Sequence, residues 1–149
     1  MSVYFGERTG RLQIKYKLES GAYPPEKAHS ADAGFDLRTP VDFTLPARGS
    51  AVIDTGVHVQ IPHGYVGFLK SKSGLNIKFS LLSGEGVIDA EYTGTITVKC
   101  YNHTDDSMGF ERGDKISQLV ILPIPDVEMV EGEMDDTERG ENGFGSTGR

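Results

Sequence analysis

The chain has 149 residues, a length that fits one domain with a proper core, and a formal net charge of −7. This imbalance is local: residues 126–141 hold eight acidic residues and one basic residue, whereas the rest has fourteen of each. The composition predicts no basic face for DNA and no apolar run long enough to cross a membrane. No secretory signal is visible, and the single Cys100 cannot form an internal disulfide. These features predict a cytoplasmic protein.

Apolar and polar residues alternate along most of the chain, and this period of two predicts β-strands. In chain order the predicted strands cover residues 12–18, 41–45, 56–61, 95–101 and 116–122. The last of them, "ISQLVIL", is an apolar run interrupted by Ser117 and Gln118, as in a strand buried on both faces. Turn signals recur between the runs, which predicts an all-β sandwich or barrel.

Only "SGLNIKFSL" favours a helix, and a short one. We therefore predict one β domain over residues 1–127, followed by an acidic, glycine-rich and flexible arm over residues 128–149. Within "GTITVKC" the alternation predicts that Cys100 is a buried, unreactive thiol.

The arm ends in "RGENGFGSTGR", which contains G-x-G-x-x-G and comes close to a Walker A loop. Both interpretations fail, because neither has the helix that must follow. Glycines that expose backbone N–H groups, together with Arg139, Ser146 and Thr147, nevertheless suit phosphate oxygens. Phe144 suits stacking on a base. The alternative is a disordered tail with incidental residues.

The segment "GEGVIDAEYTG", residues 84–94, predicts a β-hairpin. Asp89 lies at the end of its first strand, where it is either a general base or an ordinary turn aspartate. In "KSKSGLN", the neighbouring Lys72, Ser73 and Gly74 suit phosphate binding, although such loops are common.

Two further stretches carry candidate polar residues. "HSADAGFDL" contains Asp32 and Asp36, and "RGDKISQLVI" places the Gln118 amide within an apolar strand, where it must find a partner. His29, His58, His63 and His103 have no metal-ligand or triad spacing, so we predict surface or structural roles for them.

The order of the motifs is more specific than any one of them. "SADAGFDL", "SKSGL", "GEGVIDAEYTG", "RGDKISQLVI" and "RGENGFGSTG", in this succession, resemble the five signature blocks of the trimeric deoxyuridine triphosphatases. The resemblance covers the chain from about residue 30 to its end. It implies a β jelly roll and a homotrimer that hydrolyses dUTP to dUMP and pyrophosphate with Mg²⁺. It also implies three active sites shared between subunits, each closed by the arm of the third chain.

The resemblance implies roles for individual residues. Asp89 would be the base that orients water towards the α-phosphorus, and Tyr92 would pack under the deoxyribose and exclude a 2′-hydroxyl group. Ser73 and Gln118 would act with Asp89 in catalysis. Asp36 would organise Mg²⁺-bound water without touching the metal, which the substrate phosphates mainly hold. The substrate-binding set would be Lys72, Ser73, Gly74, Ser83, Gly86, Val87, Ile88, Asp89, Tyr92, Thr97, Gln118, Arg139, Phe144, Gly145, Ser146 and Thr147.

The chain departs from the family pattern at three positions. Lys72 replaces the usual arginine, so a point charge replaces a forked cation. Glu91 replaces an aspartate, and Asn142 replaces a glycine. Two other hypotheses remain at this stage: a deoxycytidine triphosphate deaminase with the same fold, and a regulatory binding protein of the kind carried by phages, with a protein partner.

Overall fold

The computed structural model describes residues 10–145, 147 and 148. Within this part, the chain forms ten strands and one short helix. In chain order these elements are β1 (Lys15–Leu18), β2 (Gly34–Arg38), β3 (Phe43–Leu45), β4 (Ser50–Gln60), β5 (Tyr65–Lys70), α1 (Ser73–Phe79), β6 (Leu81–Ser83), β7 (Gly86–Ile88), β8 (Thr95–Asn102), β9 (Met108–Phe110) and β10 (Lys115–Pro123). The predicted all-β class and its single short helix are confirmed.

The strands form two four-stranded antiparallel sheets and one two-stranded ribbon. One sheet has the order β1-β4-β8-β6, the other has the order β2-β10-β5-β7, and β3 pairs with β9. Strands that are neighbours in a sheet are mostly distant in sequence, which is the pattern of a jelly roll.

The core lies between the sheets and follows the alternation in the sequence. Along β8, Ile96, Val98 and Cys100 are buried, while the residues between them face outward. Burial raises the pKa of the Cys100 thiol to about 11, so the predicted unreactive cysteine is confirmed.

The predicted hairpin over residues 84–94 is wrong. β7 pairs with β5 in one sheet, whereas β8 pairs with β4 and β6 in the other. The turn between them carries the chain from one sheet to the other. Apolar alternation on both sides of a turn is the same for a hairpin and for a sheet crossing, and the sequence therefore could not distinguish them.

Two predicted strands are shorter and more exposed than their patterns suggest. β1 begins at Lys15, and Tyr16 on its predicted inner face is 53% exposed. β3 begins at Phe43, and Val41 lies outside it with half of its surface exposed. β1 is an edge strand, which explains why its apolar face is incompletely covered.

The last strand, β10, ends at Pro123, a few residues before the predicted arm. Among the described residues from 126 onward, every hydrogen bond joins residues a few positions apart, as in the contact from Arg139 Nε to the Asn142 carbonyl, 3.0 Å long. The side chains of Met129, Met134 and Phe144 are more than nine-tenths exposed. The division of the chain at residue 127 stays a prediction. In the described part, no helix combines the length and apolar character of a membrane span.

Candidate active site

A buried carboxylate at the centre of β2 anchors the polar cluster. Asp36 is 5% exposed, and its two oxygens accept hydrogen bonds from Lys72 and from Lys115, the latter over 2.9 Å. Burial alone would raise the pKa of Asp36, but the two ammonium groups outweigh it, so the pKa lies below its ordinary value. The structure therefore places two cations and one anion at this point, a local net charge of one positive unit.

Gln118 lies beside Asp36 on β10, as its register partner. Its Nε2 donates a hydrogen bond to the Ser71 carbonyl over 2.9 Å, which gives the amide its expected partner. The amide oxygen lies against Gly34, where any Cβ atom would collide with it. Gly34 thus makes room for the side chain of Gln118.

Three serine hydroxyl groups connect the strands behind this cluster. Ser71 Oγ donates to the Ser83 carbonyl over 3.0 Å and accepts from the Ser83 amide over 3.1 Å. Ser117 Oγ is 3.1 Å from both Ser83 Oγ and the Lys70 carbonyl. These contacts fix the end of β5 from which the loop to α1 departs.

The loop to α1 carries the predicted phosphate-binding residues. Lys72 precedes the helix in an extended conformation, and Ser73 and Gly74 open its first turn. Both of these residues are exposed, and a Cβ atom on Gly74 would meet nothing within 4 Å. The loop therefore presents its backbone and the Ser73 hydroxyl to open space.

The third block contains β7, and Asp89 follows the end of β7 that points away from the lysine cluster. Gly86 pairs with Leu69 and Ile88 pairs with Gly67, so the antiparallel strand carries the chain away from Lys72. Three residues at about 3.3 Å each place Asp89 roughly 10 Å further along the sheet. In one chain, Asp89 and the lysine cluster therefore lie at opposite ends of β5.

The side chains of this block point in different directions. Val87 is 59% exposed, whereas Ile88 is buried in the core and leaves only its backbone accessible. Asp89 and Thr97 are exposed. The Tyr92 hydroxyl donates to the Thr95 carbonyl over 3.0 Å, and its ring covers Gly94 so closely that a Cβ atom there would lie 2.5 Å from the hydroxyl oxygen.

The fold thus brings together residues from blocks one, two and four, while Asp89 of block three lies apart. The last block, with Arg139, Phe144, Gly145 and Thr147, lies on the arm, and Ser146 falls outside the described residues. Sequence reasoning missed Lys115 and Ser71. A lysine that opens a buried strand, as in "GDKIS", is the signal that could have identified Lys115, because such a charge needs a partner.

Metal ligands are not gathered in the described part of the chain. Histidine, cysteine, aspartate and glutamate side chains do not form groups of three that could hold an ion there. Both oxygens of Asp36 already accept from ammonium groups, which disfavours direct coordination by this residue.

The fold and this cluster define a β jelly-roll protein with two lysines and a buried aspartate gathered at a strand end. A family model described as dUTPase matches residues 22–148. The chain belongs to the dUTPase family.

Individual relatives agree with this assignment. The deoxyuridine 5′-triphosphate nucleotidohydrolase of Oryza sativa subsp. japonica is 41% identical over 92% of this chain and 80% of the relative. The enzyme of the same name from Candida albicans is 37% identical over 96% of this chain and 91% of the relative.

Solved structures of phage dUTPases share the fold. The dUTPase of Staphylococcus bacteriophage 80alpha with dUPNHPP has a TM-score of 0.83 at 36% identity, over 92% of this chain and 99% of that chain. A dUTPase mutant from phage phi11 of S. aureus, described with a coordinated structural Mg(II) ion, has a TM-score of 0.77 at 31% identity. That match covers 83% of this chain and 98% of that one.

Proposed function

We propose that this protein hydrolyses dUTP to dUMP and pyrophosphate, limiting uracil incorporation into DNA and supplying dUMP for dTMP synthesis. The observation that carries the proposal is the meeting of blocks one, two and four around Asp36 in a chain of the dUTPase family. In the reaction, a water oxygen bonds to the α-phosphorus while the bond to the bridging oxygen breaks. Pyrophosphate leaves, and Asp89 accepts the proton from the water.

The lysine cluster is the phosphate end of the proposed site. Lys72 would move its ammonium group from Asp36 to the incoming phosphates, while Ser73 and the backbone at Gly74 donate hydrogen bonds to them. Lys115 would then keep Asp36 ionised. Gln118 holds its amide beside this path and would contact the α-phosphate or the attacking water. Ser83 would contribute by holding Ser71 and Ser117 in place, because its amide, carbonyl and hydroxyl groups all contact these two serines.

The segment from Gly86 to Thr97 is the nucleoside end. The backbone at Gly86, Val87 and Ile88 would read the uracil edge, and a nucleotide with the wrong donors and acceptors would leave buried polar groups unpaired. Thr97 would contribute from β8. Tyr92, held over Gly94, would pack against the deoxyribose and leave no space for a 2′-hydroxyl group.

We also propose Mg²⁺ as the cofactor. When bound to the phosphates it would neutralise charge that develops at the leaving pyrophosphate. Asp36 would orient metal-bound water rather than contact the ion, since its oxygens are engaged by lysines.

The separation of the two ends supports a homotrimer with shared sites. Asp89 and the lysine cluster would both act on the phosphates of one nucleotide, yet they lie at opposite ends of β5 in one chain, and a second subunit would bring them together. A groove of apolar side chains, including Leu12, Ile14, Phe35 and Ile121, opens on the surface and suits a neighbouring subunit. The arm, with Arg139, Phe144, Gly145, Ser146 and Thr147, would close over a site of the assembly.

A regulatory role is the second candidate. Structures of the related 80alpha dUTPase are described in connection with control of virulence-gene transfer. A nucleotide-dependent protein partner would be compatible with catalysis, because an arm that orders over the nucleotide would report its presence. A pull-down with and without a non-hydrolysable dUTP analogue tests this role.

The decisive experiment measures pyrophosphate release from dUTP, dCTP, dTTP and UTP in parallel, with and without Mg²⁺. We expect release from dUTP alone, and only with the metal. Deamination of dCTP would support the alternative deaminase, and turnover of all four nucleotides would contradict the proposed uracil and deoxyribose recognition.

A further inference from the structure

We propose that His58, in its protonated form, clamps the turn that carries Tyr92 and so makes the rejection of ribonucleotides depend on pH. The inference rests on the proposed function and adds a positioning residue to it. His58 lies on β4, and its ring contacts Thr93 and Glu19 rather than Tyr92 itself.

The two hydrogen bonds of the His58 ring fit its protonated form. His58 Nδ1 lies 2.7 Å from the Thr93 carbonyl oxygen, and Nε2 lies 2.8 Å from Glu19 Oε1. A carbonyl and an ionised carboxylate only accept hydrogen bonds, so both contacts need a hydrogen on the ring nitrogen. Only the imidazolium form carries both hydrogens at once. A neutral ring must leave one of the two oxygens facing a lone pair.

The contact to Thr93 acts directly on the sheet-crossing turn. Thr93 follows Tyr92, whose hydroxyl is bonded to the Thr95 carbonyl. Thr95 Oγ1 in turn donates to Asp54 Oδ2 on β4 over 3.0 Å. The turn is therefore hydrogen-bonded to β4 at Thr93 and at Thr95, both on the C-terminal side of Tyr92, and the contact from His58 is the one that changes charge near neutral pH.

The surroundings of His58 come mainly from β1 and the residue after it. Lys17 is the register partner of His58 and opposes its charge, whereas the Glu19 carboxylate favours it. Lys15 and Tyr16 line the same open groove. The bond to Thr93 raises the pKa of His58 most, the bond to Glu19 adds to it, and partial burial lowers it less. Both contacts are made below the ordinary pKa of 6.5, and one of them is lost as the pH rises through the raised pKa.

A second histidine contacts the same turn but is a weaker support. His63 Nε2 lies 2.8 Å from Glu91 Oε1, and these side chains are 83% and 77% exposed. The His58 side chain is only 21% exposed, so water competes with it much less. Glu91 has a φ angle of 71°, a strained conformation for this residue that the neighbouring contacts must maintain.

The test measures kcat/KM for dUTP and for UTP between about pH 6 and about pH 9, and uses their ratio. Catalytic groups that act on both nucleotides change the two kcat/KM values equally as they titrate, so their effect cancels in the ratio. A looser Tyr92 favours UTP over dUTP, so its effect remains. For the unmodified protein we expect the dUTP preference to fall roughly five- to tenfold across this range. In His58→Gln the preference should start low and stay flat, and Glu19→Gln should move the fall to lower pH.

His29→Gln is the matched control, because His29 is an exposed histidine outside the turn. It should follow the unmodified protein at every pH. A flat ratio in the unmodified protein, or an unchanged pH profile in His58→Gln, would overturn the proposal.

A second readout does not need turnover. In the substrate-free protein, the NMR resonance of the Thr93 amide should titrate with the same midpoint as the His58 ring, and this transition should vanish in His58→Gln. Independent midpoints would overturn the clamp. Absence of dUTP hydrolysis in the unmodified protein would instead contradict the proposed function, while the resonance would still test the clamp.

Discussion

The cluster around Asp36 and the C-terminal arm carry functional residues of the same proposed site, yet they differ in burial, in charge pairing and in hydrogen bonding. The Asp36 carboxylate is buried and receives two ammonium groups, and serine hydroxyls fix the strands behind it. The arm makes only local hydrogen bonds among its described residues, and Phe144 is fully exposed. The fold alone positions the first region, whereas a ligand or a neighbouring subunit must position the second.

Because of this difference, substitutions in the two regions should have different effects on the free energy of unfolding and on turnover. Changes in the cluster should affect the free energy of unfolding as well as catalysis, because its charges depend on one another. Changes in the arm should affect catalysis only, because the described residues of the arm hydrogen-bond only to one another. The predictions below test this division, from the largest expected effect to the smallest.

Asp89→Asn should reduce kcat by about 10²–10⁴-fold, because the amide cannot accept a proton from the attacking water. Binding of dUTP should be retained, since the shape of the side chain is conserved. Single-turnover kinetics and calorimetric titration separate these two effects. Asp126→Asn, at an exposed aspartate beyond β10, is the control. Unchanged turnover in Asp89→Asn would remove this residue from the mechanism.

Truncation before Arg139 should lower kcat by about 10²-fold or more while the melting temperature and the oligomeric state stay the same. The reason is that the arm would exclude water from the closed site but does not support the core. Calorimetry and light scattering provide the structural controls. Normal turnover of the truncated chain would show that closure by the arm is not needed.

Asp36→Asn should reduce the free energy of unfolding by about 2–3 kcal/mol, because two ammonium groups lose their shared counter-charge. The lowered pKa of Asp36 makes this loss pH-dependent: the carboxylate stabilises the protein above its ordinary value of 3.8, and the stabilisation disappears as the pH falls through the lowered value. Urea unfolding of both proteins should therefore converge in acid. A constant difference at all pH values would argue against an ionised Asp36.

Phe144→Ala should raise the KM for dUTP about tenfold with no change in the melting temperature, because stacking on a base is lost. Met134→Ala is the matched control, since Met134 is also exposed on the arm but lies before the last block. If both variants behaved alike, contact between Phe144 and the base would be excluded.

The sequence predicted the strands that alternate over a buried face, and it identified the family from ordered blocks. Val57, Val59 and Ile61 are buried as their alternation indicated, because a central strand covers one face completely. The pairing of β7 was wrong, because local pattern does not encode which of two sheets a strand joins.

The site was predicted in its residue types but not in its connections. Asp36 was expected to act through water on a metal, and the structure adds that Lys72 and Lys115 hold it. Lys115 lies 79 residues after Asp36 in the sequence, so only the pairing of β10 with β2 brings them together. Non-local register of this kind cannot be read from one sequence without alignment.

The shared carboxylate between two lysines also bears on how fast a nucleotide arrives. The Asp36 cluster has an excess of one positive charge, the body around it is neutral overall, and the arm is strongly acidic. Beyond a Debye length of about 10 Å, a single net charge attracts a triphosphate only weakly. Encounter with the substrate is therefore governed by diffusion and by the open arm, and rising ionic strength should hardly slow it.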